Sequence, residues 1–308
     1  MRNKIALFII VLAAAIGAIF YYRGTSSAPR QEALVVKGSD TEVQLVSNLA
    51  EAYLEQNPGS DISVTGGGSG AGIAALINGE IIIANSSRAV TDEERSTATG
   101  KGIDVREYIL ARDGLSVIVH PDNSILTLTM EQVGRLYRGE VTNWRDVGGP
   151  DEPVVLYGRQ STSGTYVFFR DTVVRGDYAP TMRNMEGNQA IVDAVITDRA
   201  GVGYVGVGYV KDATGAPRSD IKILSIAADA TTPAVSPLDR EAVLAGQYPI
   251  FRRIYQYLAG VPAQGSLLES FLRFESSADG QRILETVGFY SLTADDMAQN
   301  EQLLSAIQ

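Results

Sequence analysis

The chain has 308 residues, 45% hydrophobic and 20% charged, a balance that suits a folded protein of about two domains and excludes a disordered one. A formal net charge of −10 argues against a nucleic-acid binder, which needs a basic stripe over the phosphates, and means that any captured anion is held by local groups. Cysteine is absent, which excludes disulfides, thiolate metal sites and a lipid-modified cysteine anchor.

Arg2 and Lys4 precede an apolar run over 5–22, and a small polar tether, Gly24-Thr25-Ser26-Ser27-Ala28-Pro29-Arg30, follows it. The run lies at the boundary between a signal-peptide core and a spanning helix, which needs about 20 residues. No clear cleavage site follows, and Tyr21-Tyr22-Arg23 resembles an interfacial anchor. The reading is therefore an uncleaved membrane anchor, with a cleaved export signal or a buried core helix as alternatives. Positive charge ahead of the run places the rest of the chain outside the cytoplasm.

From residue 33 short apolar runs alternate with helical periodicity, the pattern of an α/β protein. Strands are expected over 33–37, 61–65, 81–84, 116–120, 154–157 and 203–207, with a further extended stretch over 221–226. Helices are expected over 41–56, 71–78, 129–137, 165–174 and 188–197, and one long helix over 266–287 with Gly280 interrupting it. Thr91-Asp92-Glu93-Glu94 has capping-box spacing before a short helix, and Thr129 heads a similar Thr-x-x-Gln cap. No internal repeat is present.

Three small-residue clusters each open an expected helix: Gly38-Ser39-Asp40-Thr41, Gly66-Gly67-Gly68-Ser69-Gly70-Ala71-Gly72 and Ser161-Thr162-Ser163-Gly164-Thr165. The first N–H groups of a helix lack intrahelical partners and carry partial positive charge, so such termini can hold an anion. One cluster alone is ordinary capping. Three, with Arg159 beside the last, point to convergence on a tetrahedral oxyanion.

Lys37-Gly38-Ser39-Asp40-Thr41, 66–72, Ala84-Asn85-Ser86-Ser87-Arg88 and 158–165 resemble, in order and spacing, the binding loops of the phosphate-binding component of phosphate ABC importers. Further matches are 136–144, Gly187-Asn188, Gly201-Val202-Gly203-Tyr204 and Tyr248-Pro249-Ile250, so the resemblance runs from about residue 33 to 292. It implies an α/β, two-lobed periplasmic-binding-protein (venus-flytrap, type II) fold with the ligand in the cleft, the lobes being 31–115 with 236–308 and 116–235. The chain would cross between lobes near 113–117 and 228–245. It also implies capture of inorganic phosphate, delivery to ABC permease subunits, no cofactor, no metal and a monomer.

Carried over by position, Ser39, Asp40 and Thr41 lie on the first phosphate loop, Ser69 and Gly70 on the second, and Ser87 on the third. Arg159, Ser163, Gly164 and Thr165 match the family's arginine and its Ser-Gly-Thr anion loop. One departure matters: many members carry on the third loop an aspartate that accepts the proton of bound phosphate, whereas here Ser87 is followed by Arg88. Asp40 is the candidate substitute, its alternative role being to cap the following helix. Arg88 reads as a solvated loop residue or a second ligand cation.

Sulfate, molybdate or a sensing role without transport remain within the binding class. A serine hydrolase using Ser161 or Ser163 is the other class, but it would need His120, the only histidine, and lacks the Gly-x-Ser-x-Gly context. Trp144 and Tyr204 read as packing or cleft-wall residues, and the acidic runs as helix N-terminal charges.

Overall fold

The computed structural model describes residues 33–212 and 214–306; the expected anchor and tether over 1–30 fall outside the described residues. β1 (Ala33–Gly38) is followed by α1 (Val43–Gln56), β2 (Asp61–Thr65), α2 (Ser69–Ile77), β3 (Ile83–Ser86), α3 (Asp92–Gly100) and β4 (Val105–Gly114). β1 pairs in parallel with β2 on one side and β3 on the other. Parallel neighbours require crossover connections, and α1 and α2 provide them. α1 turns Leu45, Val46, Leu49 and Tyr53 into one core, while Ile73, Leu76 and Ile77 of α2 fill a separate one. The end of β1 is thus a switch point, where the loops at the carboxyl ends of the strands form a crevice suited to ligands.

The second lobe begins at once. β5 (Ser116–Val119), β6 (Thr127–Thr129), α4 (Met130–Tyr137), β7 (Val155–Arg159), α5 (Gly164–Phe169), β8 (Arg183–Met185), α6 (Asn188–Thr197), β9 (Gly201–Val205), β10 (Lys222–Ile223), β11 (Ser225–Ala227) and α7 (Arg240–Leu244) follow in order. Its main sheet runs β10-β5-β9-β7-β8 around a core with Tyr137, Trp144, Phe169 and Tyr204 fully buried. Trp144 is a packing residue whose Nε1 donates to the Ala200 carbonyl at 2.9 Å. The caps headed by Thr91 and Thr129 are both complete capping boxes.

β12 (Phe251–Ala259) returns to the first sheet and inserts antiparallel between β3 and β4, giving the order β2-β1-β3-β12-β4. The two crossings lie side by side, joined by Leu115 N–H donating to the Ile250 carbonyl at 2.9 Å. β12 thus rejoins the first sheet directly after Ile250. Ahead of it Val243, Tyr248 and Ile250 pack into the second lobe's core, while Pro237 and Arg240 touch Tyr290, Glu285 and Ser291.

The long helix expected over 266–287 is instead two, α8 (Leu267–Ser276) and α9 (Ala278–Val287), before α10 (Ala294–Ser305). The break falls at Ser277, whose extended backbone and side-chain oxygen cap α9 by accepting from Gly280 N–H at 3.2 Å. Gly280 permits the fold-back, because a Cβ there would stand 2.3 Å from the Phe274 carbonyl oxygen.

Candidate functional site

The loop after β1 turns tightly, Glu42 N–H donating to the Ser39 carbonyl, and α1 starts two residues beyond Thr41. The loops after β2 and β3 bring up Ser69 and Ser87, and β7 ends at Arg159 just before the Ser163-Gly164-Thr165 turn that opens α5. These carboxyl-end loops of the two sheets meet face to face. Ser39, Thr41, Ser69, Ser87, Arg159, Ser163 and Thr165 are all buried there, whereas Asp40 and Gly70 keep partial exposure.

The hydroxyls form one cluster. Ser39 Oγ donates to Ser87 Oγ at 3.0 Å, Ser69 Oγ lies 3.3 Å from Ser87 Oγ, and Ser87 N–H donates to Ser69 Oγ at 3.1 Å. Thr165 reaches across from the other lobe, its Oγ1 2.9 Å from that of Thr41 and 3.4 Å from Ser87 Oγ. Gly164 is required by this approach, since a Cβ there would stand 2.3 Å from Ser69 Oγ and 2.8 Å from Ser87 Oγ.

Arg159 supplies the charge. Its side chain is 1% exposed, Nη2 donates to Asp40 Oδ2 at 2.5 Å, and Nε and Nη1 have no partner among the described residues. Unpartnered buried donors on a cation are costly, and an oxyanion with several acceptor lone pairs is the group that satisfies them. The Tyr204 hydroxyl accepts Arg159 N–H at 3.1 Å, and burial pushes its phenol up to about 12, so it stays neutral beside the arginine.

Asp40 does not cap α1: the N-cap is Glu42, whose side chain makes no capping bond. Asp40 Oδ1 instead accepts Gly67 N–H at 2.8 Å while Oδ2 takes Arg159, so the carboxylate joins the lobes. Ser163 spends its side-chain oxygen on the α5 cap, accepting Tyr166 N–H at 3.4 Å, and Gly70 N–H donates across the lobes to the Thr162 carbonyl at 3.0 Å. Arg88 is not a solvated loop residue: both its terminal nitrogens hold Glu94, at 2.7 and 2.6 Å, while its buried Nε has no hydrogen-bond partner among the described residues. His120 Nδ1 accepts Asp122 N–H at 3.1 Å, a turn role just after β5.

Sequence reasoning missed several residues. Asn188 donates to Thr41 Oγ1 and accepts Gly206 N–H, each at 3.4 Å; the signal available was Gly187-Asn188 ahead of a helix. Behind the hydroxyls Arg252 holds Asp113 through Nε at 2.9 Å and Nη2 at 2.7 Å, and its Nη1 donates to the Ser87 carbonyl at 3.0 Å. Asp113 Oδ1 in turn accepts Val207 N–H of the second lobe at 2.9 Å, so this buried pair sits at the hinge.

This geometry agrees with the comparisons. Residues 23–279 match the PBP superfamily domain. The phosphate-binding protein PstS of Pseudomonas aeruginosa is 30% identical over 273 residues, covering 83% of this chain and 82% of its own. The chain belongs to the PstS-type phosphate-binding protein family. The PstS of Bacillus subtilis is 28% identical over 300 residues, 92% of each chain. A phosphate ABC transporter substrate-binding protein from Clostridium perfringens, solved with bound phosphate, superposes with a TM-score of 0.74 at 25% identity over 85% of this chain and all of that one. PstS-type architecture therefore accounts for both sheets and for the cleft between them.

Proposed function

We propose that this protein captures inorganic phosphate between its lobes and hands it to an ABC permease, binding without catalysis. The observation that carries the reading is the buried Arg159 guanidinium, with two nitrogens unpartnered among the described residues, held by Asp40, which lies between Ser39 and Thr41 of the hydroxyl cluster shared by both lobes. Arg159 supplies charge-assisted donors, Ser39, Thr41, Ser69, Ser87 and Thr165 supply hydroxyls, and Ser163 and Gly164 shape the helix terminus behind them. Gly70 holds the second loop against the opposite lobe. Because Thr41 and Thr165 come from different lobes, closure and capture are one event, and the closed shape is what a permease reads.

Asp40 is proposed as the acceptor for the proton of bound phosphate, a role its contact with Arg159 supports. A carboxylate there repels fully ionised sulfate. The apolar run over 5–22 is proposed as the tether that keeps the protein, a monomer, at the outer face of the membrane. Among the described residues no helix is long and apolar enough to cross a membrane.

Calorimetric titration of the ligand-stripped protein with phosphate, sulfate and molybdate tests the reading. One-to-one phosphate binding with sulfate silent is expected; heat only with another oxyanion would move the substrate. Asp40→Asn should lower the preference for phosphate over sulfate, and an unchanged preference would remove Asp40 from selectivity.

A further inference from the structure

Glu42, next to Thr41 in the first loop, has no exposed surface, and among the described residues neither of its carboxyl oxygens has a hydrogen-bond partner. A buried polar group left unpartnered carries a cost of kilocalories unless it serves something, and an ionised one costs far more. Its surroundings come from four elements. The Ser39 hydroxyl of its own loop faces it, as do Arg252 of β12, Asp113 of β4 and Glu275 of α8. Glu275 is itself buried, with one oxygen accepting Gln256 Nε2 at 3.1 Å and the other unpartnered. Arg252 offers Glu42 little, because its guanidinium is committed to Asp113 and to the Ser87 carbonyl. Ser39 is the link to the site, because its hydroxyl donates to Ser87 Oγ within the cluster that Thr165 joins from the opposite lobe.

We propose that Glu42 is a positioning residue for the anion: its carboxyl, uncharged behind Ser39, orients the Ser39–Ser87 hydroxyl pair, and its ionisation and a doubly charged ligand exclude each other. Burial holds this carboxyl well above the usual carboxylate range, Asp113 and Glu275 push the same way, and Ser39 and Arg252 offset only part of it. A bound dianion adds negative charge on the far side of Ser39, so it raises Glu42 further. By linkage, ligand binding then takes up a proton once the free carboxyl begins to ionise, and affinity falls as pH rises through that range. This role is distinct from that of Asp40, which touches Arg159 directly. The inference rests on oxyanion capture at this site.

The test compares phosphate affinity of the parent and Glu42→Gln, a neutral isostere, by calorimetry from about pH 6 to about pH 9. Titration of phosphate itself is common to both and cancels in the ratio. The ratio of parent to variant affinity should be flat at the acid end and fall by about threefold or more at the alkaline end. A ratio constant across the range overturns the proposal, whereas a parent that does not bind phosphate overturns the functional reading instead. Infrared difference spectra of the parent at about pH 8 give a second readout that does not depend on the variant folding. The protonated-carboxyl C=O stretch should shift when phosphate is added, and a stretch indifferent to phosphate overturns the proposal.

Discussion

Replacing Arg159 with alanine separates the two things a buried cation does, binding a ligand and burdening the fold. The side chain is 1% exposed, gives Nη2 to Asp40 and leaves Nε and Nη1 without partners. A hydrogen bond to a charged partner contributes about 1.5 to 3 kcal/mol net, so two such directions are together worth about 3 to 6 kcal/mol to a bound oxyanion. At about 1.4 kcal/mol per tenfold, Arg159→Ala should weaken phosphate binding by about 100-fold or more. The unliganded protein should respond quite differently. Each buried unpartnered donor costs about 1 to 3 kcal/mol, which offsets the loss of the Asp40 pair, and the emptied space at the cleft fills with water. Urea unfolding without ligand should therefore change by about 1 kcal/mol or less. Arg159→Lys keeps the charge but loses the fork, and its affinity should fall between the two. Calorimetry and urea titration on the same preparations decide the matter. An alanine variant that binds within about threefold of the parent would refute Arg159 as the anion's main partner. Gross destabilisation without ligand would refute the account of its unpartnered donors.

Gly164→Ala places a Cβ 2.3 Å from Ser69 Oγ of the opposite lobe, so it should obstruct closure at a cost of about 1 to 3 kcal/mol, about 5- to 150-fold in affinity, with the unliganded melting temperature unchanged. Equal affinity would mean that the lobes need not approach this closely. Arg252→Met leaves Asp113 buried with only Val207 N–H, and breaking a buried pair in this way should cost about 3 to 5 kcal/mol in urea unfolding; a loss below about 1 kcal/mol would deny the pair a structural role. Asp296 concerns acid stability. Burial works to raise its carboxyl, but hydrogen bonds from Arg112 and Thr293 outweigh burial and hold it below the ordinary range. Since the folded value is the lower one, its contribution is present above the unfolded pKa of about 3.9 and is lost as pH falls through the folded value. Melting temperatures of the parent should thus approach those of Asp296→Asn as pH falls from about 6 to about 2.5, and a gap that stays constant would exclude ionisation as the cause.

What the chain specifies locally could be read from it directly. Helix ends depend on a few adjacent residues, so the Thr91 and Thr129 capping boxes were legible, as were the small-residue clusters leading into α1, α2 and α5, of which Ser163 alone supplies a side-chain cap. Apolar periodicity marked α1 and α6 because one face of each is buried. Local pattern could not separate α8 from α9, since the apolar period continues through Ser277 and only the packing of Gly280 against the Phe274 carbonyl turns the chain. The chain around 231–250 shows a related limit: 231–236 looks like a linker, but Val243, Tyr248 and Ile250 beyond it are buried among residues distant in sequence. The site divides in the same way. Ser39, Ser69 and Thr165 announce themselves as hydroxyls near helix starts and Ser87 as one on the loop after β3, yet nothing local says that Asp40 would meet Arg159, 119 residues on, and forgo capping α1. Nor could composition reveal that Glu42, one charged residue among many, lies fully buried without a partner. Local sequence determines which backbone groups are left free at a terminus, because those hydrogen bonds span only a few residues. Which termini share one crevice, and which charges lose their water there, is decided by the packing of two sheets joined at a double crossing.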